Sequence, residues 1–232
     1  MKPTKTLASL ELASASAAPS VATIVLQEHD GEFYLRINNT TLMSTKAHSS
    51  ELEMAALACV NLGSEKAAKP RVLIGGLGFG YTLRGVLELV PPDASVEVAE
   101  LLPEIVEWNR RHLQSINGRL LDDPRVTIRS GDVFDCIRKS AGESYHAVLL
   151  DVDNSPDPLV QNANQRLYRP EGLLAIRRCL RKDGRAVFWS GNLDQSFEDE
   201  LSQIFPRVES VPAKAYPRAK RPTHMLFVAD CI

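Results

Sequence analysis

The stretch Arg71-Val-Leu-Ile-Gly-Gly-Leu-Gly-Phe-Gly-Tyr81 constrains the fold more than any other part of the chain. The apolar run Val72 to Ile74 breaks into four glycines within six residues (Gly75, Gly76, Gly78, Gly80), and a helical pattern starts at Tyr81. Strand, glycine turn and helix in that order let a backbone approach a nucleotide or nucleoside at a helix N-terminus. A side chain in the turn would exclude positive φ angles and close approach of a ligand. Taken alone, the stretch also fits a tight structural turn, so its meaning depends on the elements downstream of it.

Downstream of Tyr81 the chain alternates strand and helix, the pattern of an α/β domain with a parallel sheet covered on both faces. The spacing predicts strands at Val72–Ile74, Val96–Glu100, Val126–Arg129, Ala147–Leu150, Ala186–Trp189, Val208–Val211 and Met225–Ala229. Helices are expected at Tyr81–Val90, Glu104–His112, Val133–Lys139, Pro170–Leu180 and Gln195–Ile204, with a turn at Asp183-Gly184. A loop without a helix joins the last two strands, which predicts an antiparallel final strand. Upstream, Ile24, Leu26, Phe33, Leu35 and Ile37 alternate with polar residues around Asp30-Gly31, a β-hairpin signature. A helix over Ser50–Leu62 comes next, with a serine cap expected at Ser49 or Ser50. Three regions result: a flexible or partly helical tail (1–20), a small hairpin-plus-helix region (21–66) and the main nucleoside-binding domain (67–232).

Composition removes several function classes. A formal net charge of −2 over 232 residues gives no electrostatic case for nucleic acid or an anionic membrane surface. No apolar run approaches the roughly 20 residues needed to span a bilayer. The four cysteines (Cys59, Cys136, Cys179, Cys231) show no paired spacing and read as reduced thiols of a cytoplasmic protein, not as a disulfide frame or zinc site. The histidines show no metal-ligand spacing, and no metal is expected. Trp108 and Trp189 read as core. His48, near Glu51, reads as a surface residue, and Lys214 to Arg221 as a solvated basic loop.

In an open parallel sheet, ligands sit at the carboxyl ends of the strands. Here the first strand ends in the glycine loop, and the second in Glu100, where an acidic side chain would accept hydrogen bonds from two ribose hydroxyls. The third ends in Gly131-Asp132, where a carboxylate could accept from an adenine amino group, with Val133 beside it. The fourth ends in Asp151-Val-Asp-Asn154. The run Gly76-x-Gly78-x-Gly80 has the spacing of S-adenosylmethionine-type sites, whose ligand carries no pyrophosphate.

Three further segments carry a family resemblance. Pro124-Arg-Val-Thr-Ile-Arg-Ser-Gly-Asp-Val-Phe-Asp135, His146-Ala-Val-Leu-Leu-Asp151 and Leu167-Tyr-Arg-Pro-Glu-Gly-Leu173, together with the glycine loop, resemble the polyamine aminopropyltransferases, the spermidine and spermine synthases. The resemblance implies a Rossmann-like, seven-stranded class I methyltransferase sheet and a donor that is decarboxylated S-adenosylmethionine or S-adenosylmethionine itself. Gly75, Gly76, Gly78, Gly80, Glu100, Asp132 and Val133 would hold that donor. Asp151 would be the catalytic base for a small-molecule amine, and Asp153, Asn154 and Asp157 would face the amine. Members of the family are commonly dimers or tetramers, so a homodimer is among the assemblies the resemblance implies. The chain departs from the family pattern at Gly78, where a carboxylate usually helps hold the donor, and at Asn154, where the family loop is acidic. Methyl transfer to a small molecule and non-catalytic binding of an adenosyl compound stay open as alternatives.

Overall fold

A computed structural model describes residues 3–13, 21–38, 40–60, 62, 69–152, 164–191 and 194–232. The N-terminal part is a four-stranded antiparallel sheet of β1 (Lys5–Ala13), β2 (Val21–His29), β3 (Glu32–Ile37) and β4 (Thr40–Ser44), paired in that order. The Asp30-Gly31 turn joins β2 to β3 with φ of 50° and 82°, as a two-residue hairpin requires. Ile24, Leu26, Phe33, Leu35 and Ile37 are all buried, so the alternation does face a core. The expected tail is replaced by a strand over Lys5–Ala13. Leu10 and Leu12 pair opposite Ile24 and Ala22, while a register shift between Thr6 and Ala8 breaks the period that would have shown the strand.

Helix α1 (Ser49–Cys59) leads into the main domain, and its N-cap is His48 rather than a serine, with no side-chain capping bond. The main sheet contains β5 (Arg71–Gly75), β6 (Ser95–Glu100), β7 (Val126–Ser130), β8 (Tyr145–Leu150), β9 (Leu180–Ser190), β10 (Arg207–Ala213) and β11 (His224–Asp230). Its strand order is β10-β11-β9-β8-β5-β6-β7. Strands β5 to β9 pair in parallel, and β11 runs antiparallel between β9 and β10. The predicted turn at Asp183-Gly184 lies within β9: residues 181–184 form a local excursion between the Tyr145↔Leu180 and Ala147↔Arg185 pairs, and the strand resumes beyond it.

The helices are α2 (Tyr81–Leu89), α3 (Pro103–His112), the short α4 (Gln114–Asn117), α5 (Val133–Lys139), α6 (Pro170–Cys179) and α7 (Gln195–Ile204). Buried residues of α1, α2 and α3 pack on one face of the sheet with Val72 and Ile74; those of α5, α6 and α7 pack on the other with Leu73. This pleat-driven division explains the near-continuous apolar run in β5. Among the described residues, no helix is long and apolar enough to cross a membrane. Burial pushes the Cys59 and Cys179 thiols up to about 12, which removes them from nucleophilic chemistry.

Candidate active site

The parallel sheet brings the carboxyl ends of β5, β6, β7 and β8 to one edge, and a cavity of about 330 Å³ opens there. Gly76, Gly78, Glu100, Asp132, Val133 and Asp151 all line it. Leu12, Ile24, Leu35 and Ile37 of the N-terminal sheet supply an apolar wall. Gly75 and Gly80 are not in the lining. A Cβ on Gly75 would come within 2.9 Å of Val133 Cγ2 and 3.0 Å of Leu150 Cδ2, so that glycine lets β5 pack. Gly80, at φ +79°, is the N-cap of α2 and lies against the Asn117 side chain. Asp153, Asn154 and Asp157 fall outside the described residues.

The glycine loop is braced from several sides. Gly76 N donates to Ala99 O at 2.9 Å, Leu77 N to a Glu100 carboxylate oxygen at 2.8 Å, and Asn109 Nδ2 to Gly78 O at 2.8 Å. Asn117 Nδ2 donates to Phe79 O. Glu100 also accepts from Leu102 N at 2.9 Å on its other oxygen, and the carboxylate retains acceptor capacity for a ligand. Its burial raises its pKa against the backbone donors that oppose the shift. Asp132 caps α5 by accepting from Phe134 N at 2.7 Å, and its other oxygen accepts from Arg166, whose guanidinium lies 4.5 Å over the Phe134 ring.

A second cavity, of about 320 Å³, adjoins the first. Leu42, Met43, Gly78 and Asp151 belong to both walls. Glu51, Trp189, Ala215 and His224 line the second cavity alone. Asp151 therefore stands where the two spaces meet. Thr82 Oγ1, in the first turn of α2, donates to its Oδ2 at 2.7 Å. Burial raises the Asp151 pKa, opposed by that hydrogen bond. Burial first and the Asp151 charge second push Glu51 up to about 7.

Two residues of this site escape a sequence reading. Glu51 is hidden in an ordinary helical pattern. Trp189, expected in the core, is half-buried at the carboxyl end of β9 and forms part of the second cavity. His48 has a structural role: its ring stacks on Tyr81 at 4.5 Å, and Nδ1 donates to Thr45 O at 2.8 Å. Among the described residues no group of three or more His, Cys, Asp or Glu side chains could hold a metal ion.

The fold and the cavity at the strand ends define an α/β protein of the Rossmann-like, class I methyltransferase type. Two solved structures share that architecture: a spermidine synthase in complex with the transition-state analogue AdoDATO (TM-score 0.74, 19% identity, 98% of this chain and 74% of that one) and human methyltransferase-like protein 13 in complex with SAH (TM-score 0.60, 17% identity, 79% and 82%). In sequence, the chain is 33% identical over 123 residues to a polyamine aminopropyltransferase of Pyrobaculum aerophilum and 28% identical over 204 residues to one of Corynebacterium efficiens. These matches cover 52% and 87% of this chain but only 41% and 36% of those relatives' own lengths. No family model matches the chain. Within that fold class, the curated sequences it resembles over part of their length are polyamine aminopropyltransferases.

Proposed function

We propose that the chain is a transferase that moves an aminopropyl group from decarboxylated S-adenosylmethionine to a small-molecule amine. The observation that carries this reading is the position of Asp151 in the shared wall of the two cavities. A donor nucleoside in the first cavity and an amine in the second would meet at its carboxylate. In this reading Glu100 accepts from the ribose hydroxyls, Asp132 faces the adenine edge with Val133 beside it, and Gly76 and Gly78 allow the sulfur end to pass close to the backbone. The amine nitrogen forms a bond to the donor's methylene carbon, and the carbon–sulfur bond breaks with its electron pair moving to sulfur. That step releases neutral methylthioadenosine, and Asp151 takes the proton the amine must lose. Asp153, Asn154 and Asp157 belong to the amine side of this proposal. No metal enters the reaction, because the sulfonium charge already activates the carbon.

Incubation with decarboxylated S-adenosylmethionine and 1,4-diaminobutane should yield methylthioadenosine only when both are present. Release of S-adenosylhomocysteine from S-adenosylmethionine would replace this reading with methyl transfer. Failure of methylthioadenosine to bind at millimolar concentration in calorimetry would remove the nucleoside site itself.

Gly78 offers a sharper test of the donor. It sits at φ +50°, and a Cβ there would meet the Met43 methyl at 2.7 Å. Met43 is flexible and can swing aside, and aspartate tolerates left-handed backbone better than most residues. Gly78→Asp is expected to fold with a loss of only about 1 kcal/mol. It should tighten decarboxylated S-adenosylmethionine relative to methylthioadenosine by about tenfold through a charge-assisted hydrogen bond to the donor's ammonium. Calorimetry with the two ligands reads the ratio, and an unchanged ratio would argue against an aminopropyl tail at this position.

A further inference from the structure

The proposed reaction leaves one buried carboxylate of the site without a role. Glu51 is 7% exposed, sits in the first turn of α1 and lines the second cavity together with Asp151. Its Oε2 accepts from Ser50 Oγ at 2.6 Å. Among the described residues no lysine or arginine lines that cavity. The other titratable group in the lining is His224, and its burial favours the neutral ring. Tyr81, from α2, is held protonated by its own burial, opposed by the Arg84 charge and supported to a lesser degree by the Glu32 and Glu51 charges. Two carboxylates thus share an enclosed space whose described lining supplies no lysine or arginine to balance them. Such a pair holds a proton near neutrality that an entering cation can displace.

The placement of Glu51 is built into the packing. A Cβ on Gly85 of α2 would lie 2.7 Å from Ala55 Cβ of α1, so the glycine lets the two helices close on each other. That contact seats the first turn of α1 beside the strand end that carries Asp151. Trp189, Ala215, Leu42 and Met43 in the same lining give apolar and aromatic surface, suited to the methylene chain of an alkylamine.

We propose that Glu51 is a second substrate-binding carboxylate of this site, pairing with the acceptor's ammonium group beside Asp151 and holding its nitrogen toward the donor carbon. The acceptor class is then a primary alkylamine that arrives as a cation. On binding, the proton held by the carboxylate pair leaves to solvent. During transfer, one ammonium proton passes to Asp151 as the nitrogen–carbon bond forms and the carbon–sulfur bond breaks. Glu51 stays ionised against the positive nitrogen of the product.

This role rests on the aminopropyl-transfer reading, so the test separates the two. Calorimetry of 1,4-diaminobutane into the full chain loaded with methylthioadenosine, at about pH 6 and about pH 8, brackets the Glu51 value near 7. Wild-type affinity should rise at least about fivefold with pH, because the pair then binds the cation without first losing a proton. Glu51→Gln should bind the diamine about 10- to 100-fold more weakly at the higher pH, with a flattened pH dependence and methylthioadenosine affinity within about twofold of wild type. Glu51→Asp, which keeps the charge, should recover part of the loss. Equal diamine affinity and pH dependence in wild type and Glu51→Gln would overturn the assignment, as would a wild-type protein that binds no diamine. A protein that binds both ligands with this Glu51 dependence yet forms no methylthioadenosine would instead overturn the aminopropyl-transfer reading alone.

Discussion

Asp151→Asn is expected to lower turnover by about 1000-fold or more while methylthioadenosine affinity stays within about twofold. Asparagine matches aspartate in shape, and its side-chain oxygen can still accept from Thr82 Oγ1, so the wall shared by the two cavities keeps its form. What disappears is the proton acceptor. An alkylamine has a pKa of about 10.4, so near neutrality only about one molecule in a thousand or fewer carries the lone pair that attacks carbon. With Asp151 present, the protonated majority can be used. Without it, the rate must track the free-amine fraction, and turnover of the variant should climb about tenfold per pH unit across the alkaline range. A variant with wild-type turnover, or one whose rate does not rise with pH, would remove Asp151 from the role of base.

The same substitution has a predicted thermodynamic signature opposite to its effect on rate. Burial raises the folded-state pKa of Asp151 above the ordinary carboxylate range. A raised folded-state pKa means that the folded protein resists ionisation. The favourable contribution is complete at acid pH and is lost as pH rises from 3.8 toward the folded value. For Glu51 the corresponding window runs from 4.5 to about 7. Chemical denaturation of Asp151→Asn should therefore show a stability equal to or above wild type near pH 8, with the difference shrinking in acid. The site holds charge at a cost to folding, as expected where binding a cation is what the charge is for.

The parts of this site that obey a sheet rule were legible in the sequence. Glu100, Asp132 and Asp151 each end a parallel strand, and parallel pairing alone brings those ends to one cavity. Trp189 obeys the same rule at the end of β9, but an indole in an apolar strand resembles core, and nothing local marks it as cavity lining. Glu51 obeys no local rule. The spacing of α1 reports a helix with an apolar face, whereas the seating of its first turn against β8 depends on the Gly85–Ala55 contact across 30 residues of chain. The Lys5–Ala13 strand was hidden for another reason. A bulge and a run of alanine and serine blur its alternation, so its partners in β2, and not its own pattern, define it. That strand matters to the site because Leu12 reaches the first cavity.

Gly76→Ala should damage folding and the site together. Gly76 sits at φ +89°, and an added Cβ would lie 2.4 Å from Asp151 O and 3.2 Å from Asp151 C. Backbone, not a flexible side chain, occupies that space. The two segments are also tied together, with Asp151 N donating to Gly75 O at 3.0 Å and Gly76 N donating to Ala99 O at 2.9 Å. Relief therefore requires either opening the ladder at the ends of β5 and β8 or displacing Asp151. Left-handed backbone alone costs an alanine about 1–2 kcal/mol, and the steric conflict should bring the total to about 3 kcal/mol or more in chemical denaturation. Gly31 gives the control: its φ is +82° but nothing lies within 4 Å of the added Cβ, so Gly31→Ala should lose only the backbone part and leave ligand binding unchanged. In Gly76→Ala, methylthioadenosine affinity and turnover should fall together by about 100-fold or more, because one methyl group moves both the donor loop and the base. If donor affinity fell while single-turnover chemistry with saturating donor stayed normal, the loop and Asp151 would be independent, and the mechanical link through Gly76 would be refuted.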